Sequence, residues 1–480
     1  MQHTLRSTLA LAALTLAAVA ASAVAPAITS GTAVQTPNTL KYLVTVTGTN
    51  FVSGDTLYIN SVAQTTTFVS STQLEVATYT AAVGTTEIAA EAEGSSGNSN
   101  SENVTVPFSK TYVVGLDAQG QIDTTDANAF DSSMAQLNDH PTGNPGVWAG
   151  AIIGVGWNQI QPGADGCTTC LDETITTTAI DTALSNIATY NSTNGTNVTA
   201  KIRVFAGTHT PAWAMYSWGG PVDIEDSSNN YQDFPTFWTT GYSSAFNNMV
   251  EQLAEKYDMD PRVQEIAITS CSSKTGEPFI YDYSDWTSIS RMHTAGFTDA
   301  QMEACLTNAP SAYALYWTHT PIDYSMNIYE ETDGFTTSGG SDTADQPYSL
   351  ALMKTFRGDY GSQAVIANHD LEDPPPGGTA IYFGMTSGTY TEANGYGIAA
   401  EGKPTAFQSY SAKTPAGGWD DTFFYGACQF GLTEFELFPS TRTTVGAHEA
   451  TYTTTDLANW SSWLVAGVPG SLPSGSCTAF

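Results

Sequence analysis

Basic residues are scarce in this chain: Lys and Arg number 14 in 480 residues, against 47 Asp plus Glu, for a formal net charge of -33. A field of that sign repels a phosphate backbone, so nucleic acid is not an expected partner. Charged residues of both signs make up only 13% of the chain, so the acidity comes from missing cations and not from crowded acids. That composition differs from a solvating acidic tail. It suits an acidic medium, where few fixed cations remain to repel each other once carboxylates are protonated, and it equally describes a plain exported surface rich in Ser, Thr, Asn and Gly.

Long apolar runs are also missing after the first 25 residues. No later segment holds roughly 18 uninterrupted apolar residues, so no membrane span is expected. Neither GxGxxG nor GxxxxGK[ST] occurs at a strand-to-helix turn, which leaves nucleotide binding without support. The seven histidines form no HxH or HExxH pattern, and that disfavours a metal-dependent hydrolase. No metal and no organic cofactor is expected.

The first 25 residues have the order of a secretory signal: Arg6, the apolar run from Leu9 to Val19, then Ala21-Ser-Ala23 as a cleavage site. The protein is therefore expected to be secreted, with 1–25 removed. Six cysteines in an exported chain point to disulfides. Cys167-Thr-Thr-Cys170 has no second CxxC to complete a metal site, so it reads as a local staple. Elimination and spacing favour Cys271 with Cys305 and Cys428 with Cys477. The first of these would clamp the start of a loop that carries Glu277.

Residues 26–107 alternate apolar and polar side chains in short runs parted by turn residues such as Ser53-Gly-Asp55, the pattern of a small all-β sandwich. From 108 to 480, apolar strands alternate with amphipathic helices. Candidate strands lie at 111–116, 147–155, 200–205, 263–268, 322–326, 363–367, 380–383, 404–408 and 432–437, with helices at 178–190, 241–257, 298–307, 349–360, 419–430 and 455–466. Eight or nine strands at this spacing predict a (β/α)8 barrel.

Barrel enzymes carry their chemistry where strands end at the C-terminal face. Glu277 falls in the loop after the fourth candidate strand and is stiffened by Pro278. Glu434 and Glu436 occupy i and i+2 of the last strand and so share one face, expected to be the interior, because two charges against the helix layer would lack partners. Glu436 lies nearer the strand's C-terminal end, before Pro439, and is the preferred second acid. Two carboxyl groups on one rim are what glycoside cleavage needs: one protonates the leaving oxygen, the other attacks the anomeric carbon or activates water. Glu277 is expected to hold its proton, and Glu436 to stay ionised beside Arg203 or Tyr410. Trp157, Trp213, Trp218 and Trp238 are candidate stacking surfaces for sugar rings. Arg203, His209, Asn368, Tyr382 and Gln408 are candidate polar contacts.

Two resemblances follow from these residues. Ile28-Thr-Ser, Val46-Thr-Gly-Thr-Asn-Phe51, Gly54-Asp55 and Phe68-Val-Ser-Ser-Thr-Gln-Leu74 resemble the IPT/TIG type of immunoglobulin-like domain, which implies a spacer or attachment module. Trp157-Asn-Gln-Ile-Gln-Pro162, Arg203-Val-Phe-Ala-Gly207, Pro211-Ala-Trp213, Glu277-Pro-Phe279 and Glu436-Leu-Phe-Pro-Ser440 resemble retaining (β/α)8 glycoside hydrolases, the broad group of family-5-type cellulases and family-42-type β-galactosidases. That likeness implies a carbohydrate substrate, with Glu277 as acid/base; Glu436, preferred from the strand pattern, is the candidate for the second carboxylate. The chain departs from the group in two places: Gly276 stands where an Asn usually precedes the acid/base, and the seventh candidate strand offers Gln408 where the nucleophile is usual. A non-catalytic carbohydrate-binding or cell-surface adhesion protein on the same barrel is the alternative.

Overall fold

A computed structural model describes residues 24–35, 41–80, 87–94, 97–106, 110–119, 136–138, 143–163, 174–225, 231–271, 278, 286–326, 329–332, 343–371, 404–409, 419–437 and 452–466. The chain divides into two compact units, the first ending at Val106 and the second containing Pro107–Phe480. Among the described residues no helix is long and apolar enough to cross a membrane.

The first unit is antiparallel β-structure in two sheets. One pairs the strands Ala27–Gln35, Lys41–Thr49, Gln73–Thr80 and Thr67–Ser70, and the other is built on Thr56–Ile59 against Glu87–Gly94, which also pairs Glu102–Thr105. Alternation decides which face is buried: Tyr42, Val44 and Val46 point inward from one sheet, and Leu57, Ile59, Ile88, Ala90 and Val104 from the other. The sharp turn between sheets is tied by Asp55, whose carboxylate accepts the Val52 amide at 2.9 Å.

The second unit is a closed barrel of eight parallel strands. In chain order they are β1 (Gly115–Ala118), β2 (Trp148–Gly156), β3 (Thr199–Phe205), β4 (Val263–Ala267), β5 (Ile322–Ser325), β6 (Ala364–Leu371), β7 (Thr405–Ser409) and β8 (Glu434–Leu437). The helices on the outside include α1 (Thr178–Asn194), α2 (Thr240–Tyr257), α3 (Asp299–Ala314), α4 (Gln346–Tyr360), α5 (Trp419–Phe430) and α6 (Thr454–Ala466). Each packs through one stripe. In α2 that stripe is Tyr242, Ala245, Phe246, Met249, Val250, Leu253 and Tyr257, three or four residues apart.

The segment expected to be the first strand starts later than its apolar pattern predicts. Lys110–Val114 forms no regular element, pairs with no strand among the described residues and lies at the barrel's N-terminal end. Lys110 Nζ donates to the carbonyls of Tyr257 (3.2 Å) and Val263 (2.7 Å), and Val113 N donates to Glu265 (3.0 Å). Tyr112 packs on Val365, Ala367 and Ala406. Of the nine candidate strands, 380–383 lies outside the described residues, and so do the signal segment through Ala23 and the proposed staple Cys167–Cys170.

Candidate active site at the C-terminal end of the barrel

The outward positions of the strands, such as Leu116, Ile153, Ile202, Ile266, Tyr324, Ile366, Phe407 and Phe435, join one apolar core with the helices. The alternate positions face the lumen, and the register carries them round the barrel: Asp117 stands beside Gly150 and Glu436, Glu436 beside Gln408, and Lys201 beside Glu265. Lumens of such barrels are usually packed with branched apolar side chains. Here the lumen holds Asp117, Lys201, Arg203, Glu265, Asp323, Glu434 and Glu436, all buried. Gly150 makes room for one of them, since a Cβ there would run into the Asp117 carboxyl group.

Lys201 is the hub. Its ammonium contacts Asp323 and Glu434 at short range, Glu265 at 3.0 Å and Glu436 at 2.9 Å. Burial works to discharge it, but Asp323 and then the other acids hold its pKa well above the ordinary lysine value. Oxygens of Glu265, Asp323 and Glu434 lie within 4.8 Å of one another, as ligands of a metal ion would, and the cation among them is Lys201.

Five carboxyl groups face the two cations Lys201 and Arg203, so charge balance asks for protons. Burial pushes Asp117 up to about 7 against the pull of Lys201, and it raises Glu265 in the same way. Glu434 is raised well above the usual range by burial, then by the neighbouring charges of Asp117 and Glu265. Among the described residues no N–H or hydroxyl donates to either Asp117 oxygen, and an acid set against acids is satisfied by a shared proton.

Toward the C-terminal end the arrangement differs. Arg203 Nη2 lies 2.9 Å from both oxygens of Glu436 and donates to His369 Nε2 at 3.1 Å. Arginine can only donate, so this imidazole nitrogen accepts. Burial opposes the Glu436 charge, but Arg203 and then Lys201 outweigh it and hold the carboxyl group well below the usual carboxylate range. The result is an ionised carboxylate, fixed on the inner wall of β8 one strand from Gln408. Strand pairing makes β8 the eighth strand of the closed barrel, so the second acid stands one strand beyond the position usual in the group this sequence resembles.

Glu277, Tyr382 and Tyr410 lie outside the described residues, and so does the side chain of Cys428. What is described is the anchor of the Glu277 loop: Cys271, four residues past β4, is bonded to Cys305 in α3.

Two expected sugar platforms are overturned. Trp157 and Trp213 are 0% and 1% exposed. The short helix Trp157–Ile160 follows β2 directly, Ala212–Met215 follows the turn after β3, and the Trp157 indole folds back onto α2. There Trp157 packs edge-on against Trp213, Tyr242 and Phe246. Gln161 ties both rings, its side-chain oxygen taking the Trp157 indole N–H at 2.8 Å and its backbone carbonyl that of Trp213 at 3.0 Å. Asn368 is fully buried, and its amide donates to the Met326 carbonyl at 3.0 Å, which makes it a tie between β6 and the end of β5. His209 lies in the turn Gly207–His209 after β3 and lines an open cleft, where burial lowers its pKa. Trp218 and Trp238 are partly buried against the core.

Lys201, Asp117, Glu265 and Asp323 escaped the sequence reading. Asp117, Glu265 and Asp323 are each the single charged residue of a short apolar strand and Lys201 shares β3 with Arg203, all at positions whose parity matches the lumen. That is the signal which did identify Glu434 and Glu436.

No protein-family model and no curated protein sequence matches the chain. Solved structures that resemble it include a β-1,4-D-mannanase from Cryptopygus antarcticus, 12% identical, covering 77% of this chain and 96% of that one with a TM-score of 0.39. A GH5 xyloglucanase from Bacteroides ovatus is 10% identical, with 89% and 96% covered and a TM-score of 0.37. A D-allulose 3-epimerase from Methylomonas sp. is 10% identical, with 76% and 100% covered and a TM-score of 0.35. Likeness of this degree adds nothing to the barrel that the strand pairing itself defines.

Proposed function

We propose that the protein is an exported glycoside hydrolase in which Glu436 is the nucleophile, Glu277 the acid/base and the first unit a spacer or attachment module. The observation that supports this is the Glu436 carboxylate, kept ionised by two cations at the C-terminal end of a barrel strand. A nucleophile toward an anomeric carbon must be charged and fixed, and Arg203 supplies both conditions. Glu277, on the loop anchored by the Cys271–Cys305 bond, would protonate the departing oxygen and then activate water, giving retention of configuration.

The burial of Glu436, only 1% exposed, favours a second reading in which the ion pair is structural and the barrel binds carbohydrate without cleaving it. Turnover separates the two. Glu436→Gln and Glu277→Gln should each lower kcat on an oligosaccharide by roughly 10²–10⁴-fold. Glu277→Gln should lose less on an aryl glycoside whose leaving group needs no proton. A wild-type protein without turnover on any glycoside, or two variants with undiminished turnover, would remove the hydrolase reading.

A further inference from the structure

The loops after β2 and β3 and the hairpin formed by Val222–Glu225 and Tyr231–Phe234 enclose a cleft of about 720 Å3 on the C-terminal side of the barrel. We infer that this cleft, which Glu436 does not line, is a binding site for an uncharged stretch of oligosaccharide on the C-terminal rim of the barrel. The inference takes its ligand class from the glycoside reading above and adds where the chain is held and which glycans are refused.

The cleft has the two things a neutral sugar needs. Tyr216 and Tyr231 are each 53% exposed, so both keep aromatic surface in reach of the C–H faces of a pyranose. Both rings are fixed: the Tyr216 hydroxyl donates to Asp233, and the Arg291 guanidinium lies 4.5 Å over the Tyr231 ring while donating to the Asp223 carbonyl at 3.2 Å. Hydrogen-bonding groups for sugar hydroxyls stand beside them in Asn158, His209 and Gln232. Gly156 is part of the construction, because a Cβ there would crowd Asn158 at 2.5 Å and the His209 ring at 3.4 Å.

Charge decides the class. The described lining contains no Lys and no Arg, and its single acid is Asp233. The lowered pKa of His209 keeps its ring from supplying a cation near neutrality. A uronate or sulfated chain would find no cation among the lining side chains, the Arg291 guanidinium being engaged over the Tyr231 ring and with the Asp223 carbonyl, and would approach a protein of net charge -33.

The test is calorimetric titration of the full chain with gluco-, manno- and xylo-oligosaccharides and with oligogalacturonate as the charged probe. At least one neutral series should bind and oligogalacturonate should not. Tyr231→Ala and Tyr216→Ala should each weaken neutral binding by about tenfold, whereas Tyr231→Phe, which keeps the ring, should retain it and so controls for folding. Gln232→Lys should gain affinity for oligogalacturonate. Tighter binding of the uronate by the unaltered protein, or neutral binding unchanged in both alanine variants, overturns the inference while leaving the catalytic reading intact. Ring-dependent neutral binding in a protein without turnover upholds the inference and removes the hydrolase reading.

Discussion

The two units of this chain are stabilised in different ways. The β unit encloses a core of Val44, Val46, Phe51, Leu57, Ile59, Leu74 and Ile88, while the barrel encloses, among its described residues, five acids and two basic side chains on five of its eight strands, with His369 on a sixth. The first shows that apolar packing is enough to form a compact unit from such a sequence. Charges in the lumen are therefore not needed to make the chain collapse, and burying them costs several kcal/mol apiece before partners repay it. Their presence points to use: Arg203 and Lys201 together keep Glu436 charged where water is excluded.

The sharpest way to break this contrast is Lys201→Met. Removing the hub leaves its carboxylates uncompensated and should destabilise the barrel by about 3–5 kcal/mol, read in urea by tryptophan fluorescence. All ten tryptophans lie at or beyond Trp148, so this signal reports the barrel alone. A loss below about 1 kcal/mol, the scale of an exposed ion pair, would show that the lumen charges are solvated.

The next effect is pH dependence. Asp117, Glu265 and Glu434 have folded-state pKa values raised above those of the unfolded chain, so they bind more protons when folded. Their contribution is complete below about pH 4 and is lost as pH rises through the folded values, about 7 for Asp117. Glu436 acts in the opposite sense, because its depressed pKa makes its contribution disappear as pH falls below about 4. Barrel stability should therefore peak near pH 4–5 and decline toward neutrality, by up to about 1.4 kcal/mol per pH unit for each raised group. Urea midpoints from pH 3 to 8 test this, and a flat or rising curve between pH 5 and 7 would contradict the shared-proton account. The smallest effect belongs to the β unit. Ile59→Val should cost that unit about 0.5–1.5 kcal/mol, read by far-ultraviolet circular dichroism, with barrel fluorescence unchanged and no dependence on pH across the same window.

Much of the barrel was legible because burial on one face leaves a periodic trace. Helices α1, α2, α5 and α6 fall where the spacing puts them, to within a few residues at their ends. The 111–116 run is apolar because it plugs the barrel, and plugging and pairing make the same demand on composition. Trp157 and Trp213 misled for a related reason: a tryptophan just past a strand can turn to solvent or back onto a helix, and only Gln161 and the face of α2 decide which. Glu434 and Glu436 were placed in the interior because they come as a pair. Asp117, Glu265 and Asp323 each stand alone in their strands, and nothing local distinguishes a lumen acid from an outward one until the register is known.

Lys110, Tyr112 and Val113 seal the lower opening of the cylinder from the stretch that links it to the preceding β unit. Anyone trimming the gene to obtain the barrel by itself would be tempted to cut at the first regular strand, Gly115. That cut would pull out the stopper, admit water to Glu265 and drain the electrostatic reservoir on which Glu436 depends.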